Sequence, residues 1–160
     1  MSRFFRLRQD AESWFSNIFE KPIETKFDIY YFCLMLGLAT GRYSKNKEGT
    51  EFIDYFIADY ASYQTLIIGL LVITELNKRG IGIKERNEIS SLFKEFIDTA
   101  TRTNLTDEAI DKLNGYASGG YEYLTEKIDT KPYHVEEFLI TYYNLFNEAI
   151  ENNPQWLSSV

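Results

Sequence analysis

The chain has a single cysteine, a single histidine and only three prolines in 160 residues. Cys33 alone allows no internal disulfide and no thiolate metal cluster, a usage that fits a reducing cytosol. A lone His134 cannot supply a two-histidine metal site, and Ser–His or Cys–His nucleophile activation would have to run through that one residue. No apolar run approaches the roughly 18 residues needed to span a bilayer; the longest fall around residues 29–36 and 66–73. The start, MSRFFRLRQDAESWF, carries Arg3, Arg6 and Arg8 but no apolar segment followed by a small-residue cleavage site. A secretory signal is therefore not expected, and a cytoplasmic location is.

Regular alternation is also missing. No run shows period two, and Asn114-Gly115 is flanked by helical patterns rather than by β-rich ones. The glycines at 115, 119 and 120 follow no strand pattern and lack the GxxxxGK[ST] spacing of a phosphate loop. The carboxylate pairs Asp54/Asp59 and Glu136/Glu137 carry no mark of an acid held in an apolar pocket, so they read as solvated helix faces. No cofactor, metal site or catalytic constellation is predicted, and an enzyme is the least supported class.

Aromatic residues are abundant: twelve Phe, twelve Tyr and two Trp. Such side chains dominate cores and interfaces. With 44% apolar residues the chain lies far from a disordered composition. The net charge of −7 is unevenly placed. Residues 1–103 hold 14 basic and 14 acidic side chains, whereas residues 104–160 hold 3 and 10. A neutral majority with basic loops is compatible with nucleic-acid contact even in an acidic protein.

Helical spacing dominates the remainder. A first helix is predicted over about Leu7–Glu20, with Ala11, Trp14, Phe15, Ile18 and Phe19 on one face and Pro22 ending it. Thr25 with Asp28 forms a capping box for a second helix, apolar nearly all round, that ends at Gly41. It belongs at the centre of the fold. Further helices are expected over about Phe52–Asn77 (as one helix or as two broken near Ser62), Lys84–Thr101, from Thr106 onward, Tyr121–Ile128 and Val135–Glu151. The three glycines should interrupt the helix that Thr106 starts. The expected fold is an all-α, single-domain helical bundle of six or seven helices covering residues 1–160.

Two sets of residues suggest working surfaces. Arg42, Lys45 and Lys47 form one basic loop; Lys78, Arg79, Lys84 and Arg86 enclose the connector GIGI in another. Cations on helix-connecting loops can hold a nucleic-acid backbone without reading bases. Tyr116, Tyr121, Tyr123, Tyr142 and Tyr143 are candidates for a partner interface, where Tyr is enriched.

The stretch Thr25–Leu38 (TKFDIYYFCLMLGL) and the later Tyr116–Leu124 (YASGGYEYL) resemble small proteins associated with bacterial DNA phosphorothioation (Dnd) systems. That group includes accessory and restriction-side components of phage-defence gene clusters. The resemblance covers 14 residues in the first stretch and 9 in the second, and the chain lacks the short, basic character of the group's nicked-DNA-binding member. It implies a non-enzymatic accessory or adaptor subunit of a DNA-directed antiviral defence complex. Its partners would be other subunits of that complex, with DNA-backbone contact through the basic loops. It supplies no catalytic residue. The alternative class is a homo-oligomeric structural or regulatory protein without a nucleic-acid role. A third, a small hydrolase, would require a pocket holding Asp54, Asp59 or His134.

Overall fold

The computed structural model describes residues 3–157. The described residues are mostly helical. They form α1 (Gln9–Trp14), α2 (Lys26–Thr40), α3 (Gln64–Lys78), α4 (Arg86–Phe96), α5 (Asp107–Lys127), α6 (Val135–Asn152) and α7 (Pro154–Leu157). Two short strands, β1 (Phe5–Leu7) and β2 (Thr50–Ile53), pair in a two-stranded sheet that the sequence did not suggest. Strands of three and four residues are too short to display a period of two.

Contacts divide the chain into two compact units, one formed by residues up to Arg6 with Glu51–Asn114, the other by Leu7–Thr50 with the residues from Gly115 onward. In the first unit, Phe52 and Ile53 belong to β2, a 3₁₀ helix covers Ala58–Tyr63, and only then does α3 begin. The break expected near Ser62 falls where the 3₁₀ helix gives way to α3, whereas the start of the stretch is strand rather than helix. Ile67, Leu71 and Val72 of α3 are buried, as are Leu92 and Phe96 of α4 and Ile110 and Leu113 of α5. Helix α4 stops at Phe96, short of the expected end. Its last carbonyls are satisfied by Thr106, whose hydroxyl donates to Glu95 O at 2.7 Å and whose N–H donates to Phe96 O at 2.9 Å. The same hydroxyl accepts from Ala109 N–H at 3.2 Å, so Thr106 closes one helix and caps the next.

In the second unit, α2 starts as its sequence demands. Thr25 Oγ1 accepts from Asp28 N–H at 3.1 Å, and Asp28 Oδ2 accepts from Thr25 N–H at 2.8 Å. Gly41 ends the helix at φ 72°, a left-handed conformation that glycine adopts without a Cβ clash. Phe27, Ile29, Tyr30, Cys33, Leu34, Leu36 and Leu38 are all buried, which places α2 in the core of this unit. The first predicted helix is shorter than expected: α1 ends at Trp14, Ser16–Ile18 is 3₁₀, and Phe19 points outward.

The glycine run is the main departure. Helix α5 continues through Gly115, Gly119 and Gly120 without a break. A Cβ on Gly120 would fall on the carbonyl oxygen of Cys33, and one on Gly37 would fall on the carbonyl oxygen of Tyr116. Helices α2 and α5 thus meet backbone to backbone, and that approach offsets the roughly 1 kcal/mol each glycine costs within a helix. Beside them, Trp14, Phe15, Phe32, Phe138 and Tyr142 interlock with ring centroids 4.8–6.5 Å apart. Asn153 and Trp156 donate to Ala39 O at 2.7 and 3.0 Å, tying the segment after α6 to the end of α2.

Candidate functional site

The basic residues divide between the units, Arg42, Lys45 and Lys47 in the second and Lys78, Arg79, Lys84 and Arg86 in the first. Arg42 is not an open phosphate ligand. Its guanidinium grips Glu126 with both terminal nitrogens, one at 2.7 Å, and the pair holds the Glu126 carboxyl below its usual range. Arg79 is likewise engaged, donating to Glu95 at 2.6 Å and to Glu75 at 3.2 Å. A phosphate would have to displace carboxylates at both positions. Arg8, at the end of the N-terminal basic run, is taken up as well, bonding Asp10, Ser118 and Glu122 at 2.7–3.0 Å. Partial burial lowers the affinity of Lys78 for its proton. Lys45, Lys47, Lys84 and Arg86 are exposed.

The five tyrosines also separate. Tyr116 is wholly buried, its ring edge-on to Tyr43 at 5.2 Å. Tyr121 is buried beneath Arg8 and donates to Asp10 O at 3.2 Å; burial pushes its hydroxyl up to about 12. Tyr142 is half-buried; it turns into the aromatic cluster and donates to Phe32 O at 2.7 Å, and desolvation of its hydroxyl raises that group well above the ordinary value. Tyr116 and Tyr121 are core residues, and the Tyr142 hydroxyl is committed to the backbone of α2. Tyr123 is half-buried beside Lys127. Tyr143 alone is strongly exposed, at 66%.

Tyr143 has neighbours the sequence reading passed over. Ile140, one turn earlier on α6, is 65% exposed, and Tyr133, just before the helix, is 71% exposed. Residues 136, 140, 143 and 147 recur at three- and four-residue spacing and so share one helix face. The inward face is Phe138, Tyr142, Leu145 and Ala149. Glu136, Glu137, Glu148 and Glu151 are exposed on the same helix. The outer side of α6 is therefore an aliphatic–aromatic patch framed by carboxylates. A signal was present in the sequence: Ile140 falls outside the 138/142/145/149 stripe that fills the core.

Near the start of α6 lies a shallow depression of about 140 Å³, lined by Ile128, Thr130, Pro132, His134, Glu137, Phe138 and Thr141. His134 occupies the N-cap position without a side-chain capping bond. The acids once grouped with it lie in the other unit, where Asp54 is bound to Arg102 at 2.9 Å. Cys33 is fully buried, and desolvation pushes its thiol up, away from thiolate chemistry. Among the described residues, no group of three or more His, Cys, Asp or Glu could hold a metal ion, and no helix is long and apolar enough to cross a membrane.

One charged cluster in the first unit has a pH signature. Arg79 holds the Glu95 carboxyl below its usual range, whereas the hydrogen bond between Glu95 and Glu108 raises Glu108. A carboxyl raised on folding stabilises the fold below its unfolded value, and that contribution is lost as pH rises through its folded value. Glu108→Gln supplies a permanent donor toward Glu95. The variant should melt no lower than the wild type at pH 7, and any lead it has should shrink as pH falls, because only the wild type regains the Glu108 contribution on acidification. Melting curves from pH 7 to pH 4 check this; a variant that loses stability at pH 7 contradicts it.

No family model, curated protein or solved structure matches the chain.

Proposed function

We propose that this protein is a non-enzymatic accessory or adaptor subunit that works by protein contact through the outer face of α6, within the DNA-directed defence assembly its resemblance implies. The observation that carries the reading is the exposed pair Ile140 and Tyr143, set among Glu136, Glu137, Glu148 and Glu151. A large aliphatic and a tyrosine exposed together suit an interface centre, with charged groups at its rim. The carboxylates select a partner presenting Lys or Arg around an apolar contact, since complementary rims speed encounter and reject wrong partners. Reactive groups elsewhere serve the fold: Cys33 is buried, the Tyr142 hydroxyl is bonded to Phe32 O, and Glu75 is committed to Arg79.

Contact with a DNA backbone is the subsidiary part of the proposal, and it rests on Lys45, Lys47, Lys84 and Arg86. It is the weaker part because Arg42 and Arg79 are already bound to carboxylates.

The test is co-purification of the tagged chain with the products of its flanking genes. Wild type should retain at least one of them, and Ile140→Glu with Tyr143→Glu should reduce retention at least tenfold while leaving the melting temperature within about 2 °C. Equal retention by the variant, or none by wild type, removes the proposal. For the DNA part, Lys84→Ala with Arg86→Ala should flatten the slope of log affinity against log salt by about two ions. An unchanged slope excludes those residues.

A further inference from the structure

Five helical glycines have their surroundings defined, and four of them are explained within the chain. A Cβ on Gly37, Gly115, Gly119 or Gly120 would strike backbone or a ring. Gly69, in the middle of α3, is the exception: a Cβ there would meet nothing within 4 Å. The space beside Gly69 opens on an apolar face. Leu66 is 48% and Ile73 43% exposed, and Leu70 lies between them half-buried. No charged side chain occurs from Gln64 to Thr74.

We propose that this face pairs with a second copy of the chain, α3 against α3 in antiparallel orientation about a two-fold axis at Gly69–Leu70. The register argues for a second copy rather than an unrelated partner. Leu66 and Ile73 each stand about one turn from that midpoint, so the axis sets Leu66 of one copy against Ile73 of the other, twice over. In the same register Gly69 of each copy stands opposite Leu70 of the other, and the missing Cβ leaves room for that leucine and lets the two helices approach closely. Charge favours the antiparallel sense. Exposed Asp59 precedes α3 and exposed Lys78 ends it, so each acidic end lies within a turn of the partner's basic end. The helix dipoles also run antiparallel, with each positive N-terminal end beside the partner's negative C-terminal end. A 15-residue helix is about 22 Å long, so one such pair buries less than the roughly 800 Å² per partner of a standard interface. The dimer should dissociate in the micromolar range.

The proposal is independent of the α6 face, and the experiment separates the two. Sedimentation of the full chain over about 1–100 µM should show a reversible monomer–dimer equilibrium. Leu66→Lys with Ile73→Lys should weaken it at least tenfold, whereas Tyr143→Glu should leave it unchanged. Gly69→Ala should melt a few degrees higher than wild type at dilutions where both are monomeric, yet dimerise at least tenfold more weakly. Leu66→Cys with Ile73→Cys, on oxidation, should give a covalent dimer. A strict monomer throughout, or a dimer indifferent to the lysine pair and to Gly69→Ala, overturns the proposal.

Discussion

Gly120→Ala should cost about 3 kcal/mol or more, at the upper end of what overpacking usually exacts. The added methyl would fall on the carbonyl oxygen of Cys33 and against the backbone N of Gly37, neither of which can rotate away. Relief therefore requires α2 and α5 to separate, and both are tightly engaged. Helix α2 is buried along most of its length, and α5 carries the fully buried Tyr116 and Leu124. For a chain of this size each kcal/mol shifts the melting temperature by roughly 2–4 °C, so the loss should be on the order of 10 °C. Calorimetry on Gly120→Ala and Gly37→Ala checks this, and both should fall together because both crowd the same crossing. Gly69→Ala supplies the contrast: the same change in open space should not destabilise the monomer. If Gly120→Ala melts with the wild type, the close crossing of α2 and α5 is wrong.

Phe138→Ala should be comparably severe, about 3–5 kcal/mol, the range for deleting a buried phenylalanine. Its ring lies 5.3–5.8 Å from those of Trp14, Phe15, Phe32 and Tyr142, drawn from α1, the turn after it, α2 and α6. Removing it leaves a cavity that these rings cannot close without moving the helices that hold them. Phe138→Leu keeps much of the volume and should lose clearly less. Denaturant midpoints for the pair, with near-ultraviolet circular dichroism of Trp14, distinguish a local void from a general loosening. A loss under 1 kcal/mol for the alanine variant would mean that the cluster does not hold α6 in place. Because Ile140 and Tyr143 stand on the opposite side of the same helix, a loosened α6 should also weaken partner retention.

These contrasts show which parts of the molecule were legible in the sequence. The Thr25–Asp28 capping box, the left-handed Gly41 and the apolar wrap of α2 are local signals, and each is found where it was read. Helices α4 and α6 were legible for the same reason, from spacing alone. The path through Gly115, Gly119 and Gly120 was not. Propensity records the cost of a glycine in a helix, but the compensating approach of α2 depends on residues about 80 positions away. The β1–β2 pair is similarly non-local. Among the site residues, Tyr142 and Tyr143 are adjacent and equally aromatic. They differ by 100° around α6, and only the position of α2 decides which turns inward. Arg42 and Arg79 resembled loop cations because their partners Glu126 and Glu95 are distant in sequence.

The most direct measurement is hydroxyl-radical labelling of the tyrosines, free and in the complex recovered with a flanking gene product. Tyr133 and Tyr143 should react readily in the free chain and become protected several-fold in the complex, while buried Tyr30 and Tyr116 stay inert in both. If Tyr143 is labelled equally in the two states, the partner binds elsewhere and the outer face of α6 is not the docking surface.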